Sequence, residues 1–435
     1  MSELLFLLIS RFLILVGTGI IFYCFGLFIV KSIFKIQLFQ SEFDNGIVYS
    51  MVGCIISTCL FASFTTNLKT ILIVPFLFLL MILIQIKKVN FETPPYKYAS
   101  NVNIKHLILL TIISVLTFLF FASYLYKTGS FNYQEIHRDE AYYSNVINCL
   151  LKFGVENTFT YSTSINNKLY HGTSPYHFFD LWLPGIVSFI FPILPIESFK
   201  VIIPTYSSSL FILIVYRLLS FYQVKPKYYI LIIGTYVAGC IIPIDIPNTY
   251  FVRFDTLFTA STHFKNAIYF PLMMICVILL TNKKMFEGLI TLLLLGSLNI
   301  QFLPVTSCAV ICFSFYSYYK SKTNLQLGIY AACVIVAFFI FYSLFGNKSI
   351  STLNSNIFAY SDLTGISLFQ IKYTLVEFVY RVGHKVIFIF TYLLPILGLF
   401  AFYFNQKKTI NRFSPILIIY CFLLLAGIFI HCFFL

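Results

Sequence analysis

Between two apolar runs lies the stretch 137–154, whose opening His137-Arg138-Asp139-Glu140 sets two carboxylates beside a guanidinium. A carboxylate held in one place can take a proton from a reacting hydroxyl or bind a divalent cation. From Glu140 to Phe153 the apolar positions Tyr143, Val146, Ile147, Leu150 and Leu151 recur at three- and four-residue spacing, the period of an amphipathic helix. That helix is expected to carry Asp139 at its N-cap, Lys152 in its last turn and Gly154 just past its end. Two roles are open to Asp139: a cap worth about 1 kcal/mol, or a base or metal-site residue built on the same geometry. Neighbouring helical positions point roughly 100° apart. Asp139 and Glu140 are therefore not expected to work as a symmetric pair; one faces the site while the other orients a partner such as Arg138.

Further along, Tyr170-His171-Gly172-Thr173-Ser174-Pro175-Tyr176-His177-Phe178-Phe179-Asp180-Leu181-Trp182 turns at Gly172 and Pro175. His171 and His177 are candidates for metal or phosphate, although their spacing matches no specific ligand pattern. They also read as ordinary histidines at a membrane interface, where Tyr176 and Trp182, the only tryptophan, fit an aromatic belt. Cations stand beside aromatics again at 250–266 (Arg253, His263, Lys265) and 380–385 (Arg381, His384, Lys385). With Arg138 and Lys200 they are candidate donors to a phosphate reached from the bilayer. The alternative is that they snorkel to the interface.

The elements that hold these groups follow from composition. Of 435 residues 59% are hydrophobic and 10% charged, with mean hydropathy +0.89, whereas a soluble domain is about 25% charged. So little charge excludes a soluble enzyme, a disordered chain and a fibrous repeat. The expected class is an all-α polytopic membrane protein. Spans of sufficient apolar length fall near 5–30, 47–65, 70–86, 107–126, 201–219, 228–246, 267–281, 287–300, 302–319, 327–345, 386–404 and 414–434. The pair meeting at Asn299 and Gln301 reads either as a tight hairpin or as one long bent segment. Met1-Ser2-Glu3 offers no basic lead and the apolar run to Val30 is long, so a span rather than a cleaved leader is expected.

The apolar stretch 181–196, with Pro184, Pro192 and Pro195, decides the sidedness of everything after it. With the N-terminus outside and 181–196 not crossing, sixteen lysines and arginines fall in short cytoplasmic connections, Lys31, Lys87, Lys88, Lys283, Lys284, Lys320 and Lys322 among them. This obeys the positive-inside bias. The stretch is therefore expected to lie at, or dip into, the interface, giving about twelve transmembrane helices with both termini outside. The net charge of +14 is assigned to orientation rather than to nucleic acid. Ten of the 11 cysteines sit in apolar runs, where cysteine serves as a small hydrophobe. The same arrangement puts eleven of the 15 acids and six of the seven histidines at the outer face. Three parts are expected: N-terminal helices at 1–105, a hairpin at 106–220 with external loop 127–200, and a remaining bundle at 221–435 with external loops 247–266 and 346–385.

A span followed by a loop opening Arg138-Asp139-Glu140, with Tyr143 three residues on, then Ser174-Pro175-Tyr176-His177-Phe178-Phe179 running into an interfacial helix, resembles the GT-C superfamily. These are integral-membrane glycosyltransferases that use polyprenyl-phosphate sugars. The nearest branch is that of aminoarabinose transferases and protein O-mannosyltransferases. Phe199-Lys200-Val201-Ile202-Ile203-Pro204 resembles its Arg-Leu-Pro segment, with Lys200 in place of the arginine. The likeness covers about 105–220; three spans precede the hairpin here, where the branch usually has one. It implies that Asp139 is the loop acid acting as base or metal-site residue, with Glu140 supporting it. It also implies basic groups that bind the lipid-linked phosphate.

No cytoplasmic loop is long enough to house a nucleotide-sugar domain, and neither GxGxxG nor GxxxxGK[ST] occurs on a strand–helix unit. A transferred sugar is therefore expected to come from a lipid-linked donor and to pass, with inversion, to a glycan, lipid or protein acceptor at the extracytoplasmic face of the plasma (inner) membrane. A divalent cation is a candidate cofactor, with Asp139 its candidate ligand. Two rivals remain. A surface-polysaccharide polymerase or ligase favours arginine-rich external loops, and only Arg138, Arg253 and Arg381 lie in the external loops here. A lipid-glycan flippase or transporter predicts charge inside spans, where Arg11 is the main instance.

Overall fold

A computed structural model describes residues 2–36, 42–88, 104–126, 138–157, 172–221, 268–281, 284–300 and 302–346. Among them the secondary structure is helical, with no strand. In chain order, α1 is Ser2–Leu27, continuing as a π-helical Phe28–Ile33; α2 is Glu42–Thr65, α3 Ile73–Lys88 and α4 Ile104–Leu125. Next come α5 at Arg138–Phe153 and α6 at Phe179–Ile190. A single turn, Pro195–Glu197, and a π-helical Ser198–Ile202 then feed α7 at Ile203–Phe221. The last are α8 at Tyr269–Thr281, α9 at Met285–Leu298, α10 at Leu303–Ser321 and α11 at Leu325–Phe345.

Each expected span up to 327–345 coincides with a helix, apart from 228–246; that segment, 386–404 and 414–434 lie outside the described residues. Among the described residues four helices are long and apolar enough to cross a bilayer: Glu3–Ile33, Phe43–Thr65, Pro195–Tyr216 and Leu325–Phe345. Large apolar side chains such as Phe6, Phe64, Phe189 and Phe339 stand exposed on the outer surface. Such a surface suits lipid and would be a liability in water. The chain is by these measures a membrane protein.

Close helix contact begins with glycine. A Cβ added at Gly26 would strike the carbonyl of Tyr49, and one at Gly53 the carbonyl of Phe22. In lipid, where apolar side chains gain little by meeting one another, small residues let backbones approach and pack. This crossing ties α1 to α2. At Asn299 the chain takes an extended conformation, and Phe302 N–H donates to its carbonyl (3.0 Å). The pair α9 and α10 is thus the tight hairpin, not one bent segment.

The stretch expected to lie at, or dip into, the interface is α6, and it does not lie flat on a surface. Its 12 residues span about 18 Å, too short for a hydrocarbon core of about 30 Å. Yet Phe179 through Val187 are all buried, where a helix lying on a surface would keep one face open. Packed against α2 and α5, α6 is a wedge inside the bundle.

Several chain ends meet at one end of that bundle. Thr173 N–H donates to Phe345 O at the close of α11 (2.8 Å), and Ser174 N–H to Glu156 O (2.9 Å). Thr173 Oγ1 donates to Lys69 O, in the turn between α2 and α3 (3.3 Å). Gly154, with φ +62°, backs onto Thr65 so closely that a side chain there would meet its carbonyl. The loop carrying the sequence motifs is thereby fastened to the ends of α2, α3, α5 and α11.

Candidate functional site

Helix α5 begins at Arg138, so Asp139 belongs to its first turn rather than its cap. Its far end is as expected: Gly154 adopts the left-handed conformation and its N–H bonds Leu150 O at 2.9 Å, closing the helix as glycine does at such ends. Tyr143, Val146, Ile147 and Leu150 form its buried stripe. Position 139 is one turn before Tyr143 and shares that stripe; position 140 lies on its flank.

The stripe packs on the segment leading into α6. Tyr176 Oη donates to Tyr143 Oη (3.0 Å), and the Tyr176 ring stacks on His177 with centroids 4.0 Å apart. Burial, together with the Tyr143 hydroxyl, pushes the Tyr176 phenol well above its ordinary range. His177 is 1% exposed. Its Nδ1 is 3.1 Å from Asp180 Oδ2, itself buried in the first turn of α6. The two atoms are at ion-pair distance but off the line of a hydrogen bond, and neither ring nitrogen has a hydrogen-bond partner among the described residues. Beyond Asp180, Tyr269 at the start of α8 stands against Asp180 and Asn299.

Beneath this cluster Glu156 is buried without a cation among its hydrogen-bond partners. It accepts from Thr70 Oγ1, from Ile71 N–H (2.8 Å) and from Trp182 Nε1 (2.7 Å). Burial pushes its carboxyl up to about 7, against the downward pull of those three donors. Trp182 is therefore not part of an interfacial aromatic belt: it is fully buried and pins α6 to the loop after α5. Nor is His177 an interfacial histidine. A second carboxylate, Glu197, receives Arg11 Nε and Nη2 (both 3.0 Å), Tyr126 Oη (2.6 Å) and Leu194 N–H (3.1 Å).

Of the candidate residues, Arg138, Asp139 and Glu140 fall in the first turn of α5. Lys200 is 8% exposed in the π-helical lead-in to α7, so it is not a cation snorkelling to an interface. His171, Arg253, His263, Lys265, Arg381, His384 and Lys385 lie outside the described residues. Among the described residues no three His, Cys, Asp or Glu side chains converge to hold a metal ion; His177 and Asp180 form a pair only. Sequence reasoning did not single out Glu156, Asp180 or Glu197. Asp180 had a usable signal, an acid inside an otherwise apolar run three residues after a histidine. Glu156 had none.

Comparison of the chain with protein-family models, with curated proteins and with solved structures finds no match.

Proposed function

We propose that the chain is a membrane glycosyltransferase that moves a sugar from a polyprenyl-phosphate donor to an acceptor hydroxyl or amine at the extracytoplasmic face. The carrying observation is the shared stripe of α5: the position of Asp139 lies one turn from Tyr143, which meets Tyr176 and His177, and Asp180 stands beside that imidazole. An acidic position thus falls on the same stripe of α5 as Tyr143, whose neighbours are groups that can give and take protons.

Sidedness supports the reading. The ends of α2, α3, α5 and α11 that meet at Glu156 and Thr173 are those the charge pattern assigns to the outer face. Lys87, Lys88, Lys320 and Lys322 are at the opposite ends of α3, α10 and α11, as the positive-inside bias requires. Arg11, the in-span charge a transporter would exploit, is locked to Glu197 by two hydrogen bonds.

In such a reaction phosphate is already a competent leaving group. The protein must orient the acceptor, remove its proton as it attacks, and neutralise the phosphate. Lys200 and the cations of 250–266 and 380–385 are the candidates for the last task; Asp139 is the candidate base or metal-site residue. The test is transfer from a panel of polyprenyl-phosphate-linked hexoses and pentoses by the purified chain in lipid nanodiscs. Asp139→Asn is expected to abolish transfer while expression and membrane insertion are retained, and undiminished turnover by that variant rejects the assignment.

A further inference from the structure

A completely buried imidazole with neither nitrogen hydrogen-bonded among the described residues is an exception that asks for a reason. Buried polar side chains nearly always find partners, and leaving one unmade costs about 1–3 kcal/mol. Two buried carboxylates of the described residues are well satisfied: Glu156 and Glu197 each accept three or more hydrogen bonds. His177 is not, although Asp180 Oδ2 is 3.1 Å from its Nδ1. A misaligned contact of this kind does not disqualify a proton-transfer pair, because hydrogen bonds in ligand-free sites are often poorly aligned.

We propose that His177 is the proton acceptor of the site and that Asp180 is its positioning residue. This rests on the sugar-transfer reading and refines it, leaving Asp139 to bind or orient the reactants. With Nδ1–H turned to a carboxylate, the neutral imidazole presents Nε2 as a base. As the acceptor attacks, its O–H bond breaks and the proton passes to Nε2. The freed electron pair bonds the anomeric carbon, and the bond from that carbon to the phosphate oxygen breaks, its electron pair leaving on polyprenyl phosphate. Asp180 balances the imidazolium so formed, which then returns its proton to water. The groups packed around the ring are Tyr176 on its own segment, Tyr143 on α5 and Asp180 on α6, with Tyr269 of α8 behind Asp180.

The test uses the full chain in lipid nanodiscs with isotope-labelled histidine, the His177 signal being the one lost in His177→Gln. Nuclear magnetic resonance is expected to show His177 protonated at Nδ1 and bare at Nε2. Asp180→Asn should remove that preference and Asp180→Glu keep it. In a second arm, the same nanodiscs release polyprenyl phosphate from the hexose and pentose panel. There His177→Gln is expected to lower kcat on the order of 10²–10⁴-fold with KM little changed, and Asp180→Glu to recover part of what Asp180→Asn loses. A wild-type ring protonated at Nε2, or full kcat in His177→Gln, overturns the base role while wild-type turnover preserves the transferase reading. A wild-type chain that turns over no member of the panel overturns both.

Discussion

Two acid–base pairs among the described residues each hold a buried carboxylate, and they are built differently. Arg11 grips Glu197 with two hydrogen bonds, and Tyr126 and the Leu194 N–H fill the remaining acceptor positions. His177 and Asp180 are as close, yet the imidazole has no aligned partner among the described residues. A saturated pair has nothing left to offer a substrate; its use is to join α1 to the lead-in of α7. An unsaturated one keeps capacity in reserve, at a standing loss of stability. The contrast separates a clasp from a site inside one protein.

Breaking the clasp should give the largest change in stability. Arg11→Met leaves Glu197, 2% exposed, without its cation, and stranding a buried charge costs about 3–5 kcal/mol. Unfolding of the micelle-solubilised protein by sodium dodecyl sulphate should report a loss near the lower figure, because Tyr126 and Leu194 still donate. Adding Glu197→Met should recover most of it. A double variant no more stable than the single one would mean that the carboxylate is held chiefly by those other donors.

Glu156 supplies the next effect. Its carboxyl rises from 4.5 to about 7 in the folded protein, so the native state binds more protons than the unfolded chain between those values. Stability from this group is fully present below pH 4.5 and falls as pH rises through 7. At about 1.4 kcal/mol per unit the swing is about 3 kcal/mol. Apparent Tm followed from pH 5 to pH 8.5 should therefore drop in the wild type, and Glu156→Gln should flatten the slope. A third, smaller change isolates one donor: Trp182→Phe keeps the ring and removes the bond to Glu156, for a loss of about 1–2 kcal/mol. Its tryptophan is the chain's only one, so the variant is read by Tm rather than by fluorescence.

The amphipathic period of α5 was legible because helix spacing is local: Tyr143, Val146, Ile147 and Leu150 are its buried stripe, and Gly154 ends it. The long apolar helices were legible from hydropathy alone. What sequence could not reveal was depth. Trp182 and His177 read as interfacial because their types favour interfaces, but packing against neighbours such as Phe61 of α2 and Tyr143 of α5 buries them. The start of α5 lies at Arg138 rather than Glu140, two residues earlier than expected, as helix starts often shift. Glu156, Asp180 and Glu197 gain their meaning from partners 85, 3 and 186 residues away. Only the three-residue separation leaves a trace in local pattern.

The smallest expected change is the most telling for the comparison. His177→Phe removes two unsatisfied nitrogens and leaves a ring of similar shape against Tyr176 and Tyr143. Replacing an unpaired buried polar group by an apolar one is close to neutral, within about 0.5 kcal/mol, and Asp180 retains Tyr269 beside it. Were His177 instead a second clasp, the same substitution would cost as much as Arg11→Met, about 3 kcal/mol. Unfolding of both variants under identical conditions decides between the two. Near-wild-type stability in His177→Phe, together with lost transfer, is the pattern of a group kept for reaction rather than for folding.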